Sequence, residues 1–152
     1  MIEPLVPIRM PTTSPERIAE ILHTLVQGWN TNDVEAVVAI YAPEFVEEDV
    51  ALAKPTRGAE TVRLLMRLYR RAFPDLLIVS DDLVIQDDCA AFSWILSGTH
   101  RGTLMNIPPT GRRVRVRGIS MIHFENGLVV RAVRVWDLAG MIRTFGLLPE
   151  LH

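Results

Sequence analysis

A stiff reversal between two segments constrains this chain more than any other feature. Gly98-Thr99-His100-Arg101-Gly102 is followed by Ile107-Pro108-Pro109-Thr110-Gly111-Arg112. Proline pushes the residue before it into extended backbone and fixes its own φ, and Gly111 permits a sharp reversal. Two strands should therefore meet here. Beyond the turn Val114, Val116, Gly118, Ser120 and Ile122 alternate with Arg113, Arg115, Arg117, Ile119 and Met121. That period of two marks a strand with two chemically distinct faces, able to wall a pocket.

The first half of the chain is helical in pattern. Ser14-Pro15 offers an N-cap with proline at the first helical position, and Ile18, Ile21, Leu22, Leu25, Val26 and Trp29 recur at helical spacing. Asn32 with Glu35 is read as the cap of a short second helix through Tyr41, closed by Pro43. A first strand covers Phe45 to Val50. Val62, Leu65, Met66, Tyr69 and Phe73 mark a third helix after Gly58, ended by Pro74. From Leu76 onward β-rich segments are separated by turn signals at Asp81-Asp82, Asp87-Asp88, Pro108 to Gly111 and Asn126-Gly127. A last short helix runs from Leu138 to Phe145 and stops at Gly146. Helices first and a meandering sheet after them is an α+β pattern.

At 152 residues and 49% hydrophobic content the chain suits a single domain spanning 1–152, with residues 1–13 as an extended arm and 147–152 as a loose tail. A net charge of −2 argues against general nucleic-acid binding. The lone Cys89 cannot form an internal disulfide. With no signal-like opening and no apolar run long enough to span a bilayer, a cytoplasmic protein with no membrane association is expected. Four dispersed histidines offer no metal spacing, and no phosphate loop or nucleophile elbow is present. Neither a metal nor a cofactor is expected. Acid/base chemistry or binding remains.

Several segments occur in the order found in a known family. They are Gly28-Trp29-Asn30-Thr31-Asn32-Asp33, Tyr41-Ala42-Pro43-Glu44-Phe45-Val46, Arg57-Gly58-Ala59-Glu60, Phe73-Pro74-Asp75, the stretch from Gly98 to Arg112, Glu125-Asn126-Gly127, and Trp136-Asp137 leading to Gly146. Over roughly residues 15 to 148 the chain resembles the SnoaL-like polyketide cyclases of the NTF2-like superfamily. The resemblance implies a cone of three N-terminal helices packed on a curved, mainly antiparallel sheet around an apolar cavity. It also implies a homodimer through the outer sheet face. The implied reaction is a cofactor-free intramolecular aldol closure, in which a carboxylate removes a proton flanked by carbonyls. In that family an aspartate beside a tryptophan on the last strand is the acid/base, and here Val135 stands at its place. Ser120 stands where the family has a strand histidine. A non-catalytic small-molecule binding or assembly module is the alternative, favoured by these two replacements.

The candidate site residues follow. His100 shares strand parity with Phe92, Trp94 and Leu96, and its near-neutral pKa suits proton transfer. It could equally be a histidine hydrogen-bonded at the sheet edge. Glu48 shares parity with Val46 and Val50, and if the valines face the core it would be drawn inward with a raised pKa as a candidate general base; the alternative is that Glu47 and Asp49 are solvated and Glu48 sits at the strand end. Asp137 either replaces the missing aspartate through a two-residue slip or caps the last helix. Trp29 and Tyr69 offer flat surfaces for a hydrophobic ligand, and Gly118, Ser120 and Val135 complete the expected binding set.

Overall fold

The computed structural model describes residues 10–152. The elements are α1 (Pro15–Thr31), α2 (Val34–Val38), β1 (Tyr41–Asp49), β2 (Thr56–Arg57), α3 (Glu60–Ala72), β3 (Leu77–Gln86), β4 (Cys89–Thr99), β5 (Arg113–Glu125), β6 (Leu128–Trp136) and α4 (Leu138–Thr144). Six strands form one sheet in the order β2-β1-β6-β5-β4-β3. Only β1 and β6 run parallel, so the sheet is mainly antiparallel. The fold is α+β, as its element pattern predicts.

The α1 helix starts where the sequence places it, with the Ser14 hydroxyl accepting from the Arg17 N–H and Pro15 in the first turn. Its apolar stripe buries Ile18, Ile21, Leu22 and Leu25. Asn32 caps the end of α1 in left-handed backbone (φ 57°) rather than opening α2, and Asp33 caps α2 by accepting from the Ala36 N–H. The second helix is also shorter than expected. Tyr41 already belongs to β1, and Pro43 lies at the irregularity between Tyr41 and Val46, where β1 is out of regular register with β6.

Asp81-Asp82 is not a turn. The β3 strand continues through it with a bulge between Ser80 and Asp82, and Asp81 there accepts from the Ser93 hydroxyl and pairs with Arg117. The Asn126-Gly127 hairpin forms as read, both residues having positive φ (49° and 81°). Most of the expected arm, residues 1–9, lies outside the described residues. Thr12 and Thr13 are pinned: their backbone N–H groups donate to the Asp88 carboxylate, and their hydroxyls accept from the N–H groups of Asn126 and Gly127. At the other end Leu147 N–H bonds to Ile142 O and Arg143 Nε to Pro149 O.

The β5 strand buries Val114, Val116, Gly118, Ser120 and Ile122 and exposes their neighbours, the alternation visible in its sequence. Between this inner face and the helices lies the core, with Phe45, Phe73, Ile18, Ile21 and Met66 almost fully enclosed. The Asn30 side chain ties the end of α1 to β3 by paired bonds to the Ile78 N–H and carbonyl (2.7 and 2.9 Å).

Candidate active site

An apolar cavity opens between α1, α3 and the inner sheet face, walled by Trp29, Tyr69, Phe92, Trp94, Trp136 and Met141 among others. Trp29 and Tyr69 meet edge to face at 6.3 Å, held by the Arg70 guanidinium donating to the Trp29 carbonyl. These two expected ligand-facing aromatics do line the cavity.

One wall of the cavity is charged, and the register of β1 on β6 explains it. Asp49 pairs with Arg134 and Glu47 with Ala132, so both acids share the inner face with Arg134. Asp49 is 6% exposed. It accepts from Arg134 Nη2 (2.9 Å) and Nε (3.3 Å), from Trp136 Nε1 (3.0 Å) and from the Ala51 N–H (2.9 Å). Four donors converge on one carboxylate, and the pair of bonds from Arg134 fixes its guanidinium in place. Glu47 has less. Arg134 Nη1 is 3.5 Å away, a charge contact without a hydrogen bond, and the Glu47 side chain is 14% exposed.

The electrostatics follow from this division. Burial pushes the Glu47 carboxyl above the ordinary carboxylate range; Arg134 opposes the shift and Asp49 adds to it. Burial would weaken the charge on Arg134, but Glu47 and Asp49 more than restore it. Burial also raises Tyr41 and Tyr69. The cavity therefore contains a carboxyl that binds a proton more readily than usual, beside a fixed cation. Such a pairing suits proton transfer at a carbon next to a carbonyl.

The expected catalytic residues are not in this group. Glu48 points to the outer face, half-exposed, with Arg131 at 3.9 Å. The expectation that Glu48 turns inward is corrected because Arg134 lies across from Asp49, which draws the odd-numbered acids in. His100 is fully buried but outside the cavity lining, stacked on Phe145 at 4.1 Å, with Thr110 N–H donating to its Nδ1. Burial holds its pKa down, with the Gly102 backbone opposing. Asp137 caps α4, accepting from the Gly140 N–H at 2.8 Å. Val135 is 52% exposed on the outer face, so a carboxylate there would point away from the cavity. Ser120 lines the cavity, while Gly118 lies beneath the Trp94 indole.

Glu47, Asp49 and Arg134 are the residues missed from sequence. A signal was present: Arg131 and Arg134 are three apart on one strand, so they face opposite ways and one must enter the core side. A buried arginine requires acid partners on the neighbouring strand.

The sequence profile of the SnoaL-like polyketide cyclases matches residues 19–145. The chain belongs to this family. Among solved structures it is similar to AclR from Streptomyces galilaeus, provisionally assigned as a hydroxylase. The two share 26% identity and a TM-score of 0.80, over 92% of this chain and 87% of that one. A provisionally named SnoaL-like polyketide cyclase from Jannaschia sp. CCS1 gives 20% identity and a TM-score of 0.80, covering 90% and 98%. A protein of ketosteroid isomerase-like fold from Catenulispora acidiphila, in complex with trimethylamine, gives 13% and 0.73, covering 90% and 96%. The last two likenesses concern the fold alone. No curated protein matches significantly.

Proposed function

We propose that this family member is a cofactor-free enzyme that moves a proton at a carbonyl-flanked carbon of a hydrophobic small molecule, with ring closure or isomerisation as the outcome. The observation that carries the reading is Glu47, a carboxyl of raised proton affinity in the wall of an apolar, aromatic-lined cavity. Glu47 takes the base role for which the sequence offers Glu48 as one candidate. His100 and Asp137 support the scaffold: one packs behind α4 and the other starts it. The test is mass-spectrometric turnover of linear and tricyclic β-keto esters by purified protein with no cofactor added. Isomeric or cyclised product is expected. Retention of unchanged compound on the protein would support the binding-module reading instead.

The protomer is proposed to act as a homodimer. The outer sheet face exposes Val79, Ile119, Met121 and Val135, with Ile119 and Val135 directly paired, and this apolar surface is the proposed seam. Arg113 and Arg117 border it, paired with Asp75 and Asp81. No described helix is long and apolar enough to cross a membrane, and with a single cysteine a reducing, cytoplasmic setting is proposed.

A further inference from the structure

We propose that Ser120 and Arg134 form a two-donor clamp for one oxygen of the ligand, the carbonyl that becomes an enolate when Glu47 removes the neighbouring proton. The inference rests on the proton-transfer reading above and assigns the other half of the same step.

Ser120 and Arg134 are directly opposed on β5 and β6, and both line the cavity. Directly opposed residues hold their Cβ atoms about 5 Å apart, so both side chains border one stretch of the cavity, the hydroxyl turned toward Trp94 on β4 and the guanidinium toward Asp49 on β1. Each is oriented by a partner that leaves a donor free. The Trp94 indole N–H donates to Ser120 Oγ at 3.0 Å in a buried bond. That occupies an acceptor position on the hydroxyl, and among the described residues nothing accepts the hydroxyl's own hydrogen. Asp49 takes the Nε and one Nη2 hydrogen of Arg134, while Nη1 stands 3.5 Å from Glu47 without a hydrogen bond. A guanidinium has five N–H donors, so some remain for a ligand.

Gly118 makes the arrangement possible. A Cβ there would lie 2.2 Å from the Trp94 ring, so only glycine lets the indole lie across β5 and reach Ser120. Donors fixed in advance in a water-poor cavity stabilise developing negative charge most effectively. The step balances. The carbon–hydrogen pair becomes the new carbon–carbon double bond, the proton passes to a Glu47 oxygen, and the carbonyl pair moves onto the clamped oxygen. The substrate class the clamp takes is therefore a carbonyl compound with an acidic carbon–hydrogen bond next to the carbonyl held by Ser120 and Arg134.

Calorimetric binding of a fluorinated naphthol that is ionised at neutral pH, against naphthalene, reads the clamp without any turnover. The wild type should favour the naphtholate by about tenfold or more, the worth of a hydrogen bond to a charged oxygen. Ser120→Ala should lose about tenfold of that preference and leave naphthalene affinity unchanged, and Trp94→Phe should lose a smaller part. No preference in the wild type, or an unchanged preference in Ser120→Ala, would overturn the clamp. Glu47→Gln separates the two readings. A Ser120-dependent preference that survives in a Glu47→Gln protein with undiminished proton exchange would leave the clamp standing and remove the base.

Discussion

At the scale of single residues, one acid gathers the donors and the other is left short of them. Asp49 takes four, and Glu47 keeps one distant guanidinium nitrogen. The charged and titratable groups facing Glu47 are Arg134 and Asp49, with the Tyr41 and Tyr69 hydroxyls nearby. Asp49→Asn would remove a negative neighbour and release Arg134 toward Glu47, so both changes lower the Glu47 pKa. The acid limb of the pH–rate profile should then move to lower pH, which initial rates across the acid range will show. Glu47 also predicts a stability trend. Its folded-state proton affinity exceeds that of the unfolded chain, so its ionisation costs stability as pH rises through the unfolded and then the folded value. Glu47→Gln should melt at or above the wild-type temperature at pH 7, with the gap closing as pH falls to 4. His100 has the opposite sign. Its folded pKa is depressed from 6.5, so its contribution is full above that value and is lost as pH falls below it. His100→Phe should keep the stack on Phe145 and lose the Thr110 bond. A cost of about 1 kcal/mol is expected in denaturant melts, with turnover near wild type and a weaker loss of stability between pH 7 and 5.

At the scale of elements, what could be read from sequence depended on whether the partner was local. The β5 alternation was legible because its burial follows a period of two along one strand. The hairpin at Asn126-Gly127 was legible because positive φ at two residues leaves few residue choices. The parity of β1 was not. Local hydrophobicity placed Val46 and Val50 inside, whereas Arg134 on β6, 85 residues from Asp49 along the chain, draws Glu47 and Asp49 inward. Asn32 is ambiguous for a related reason: an asparagine at a helix boundary suits an N-cap or a left-handed C-cap, and tertiary packing decides. The contact of β4 with β5 at Gly118 gives a prediction at this scale. Gly118→Ala should destabilise by about 1–3 kcal/mol through overpacking against Trp94, seen as an earlier denaturant midpoint, and should weaken ligand binding by displacing Trp94 from Ser120.

At the scale of the whole molecule, the sheet divides two tasks between its faces. The inner face carries the cavity, with Ser120, Arg134 and Glu47 among its polar groups, and the outer face carries exposed Val79, Ile119, Met121 and Val135. The family resemblance implies the curved sheet packed on helices that is observed, but it also implies an acid/base at position 135, which faces outward here. The proposed dimer should appear in light scattering as twice the protomer mass at micromolar concentration, and a charge placed at Ile119 should shift it toward monomer. A wild-type monomer under those conditions would remove the outer face as an interface.

The central claim is that Glu47 exchanges a proton with a carbonyl-flanked carbon in this cavity. Its most direct test is NMR-detected deuterium exchange of the acidic hydrogen of a cyclic 1,3-dicarbonyl in heavy water, comparing wild type, Glu47→Gln and Glu48→Gln. The account predicts protein-catalysed exchange that falls by about 100-fold or more in Glu47→Gln, within the usual range for a general base, and is unchanged in Glu48→Gln. Exchange undiminished in Glu47→Gln, or lost only in Glu48→Gln, would contradict it.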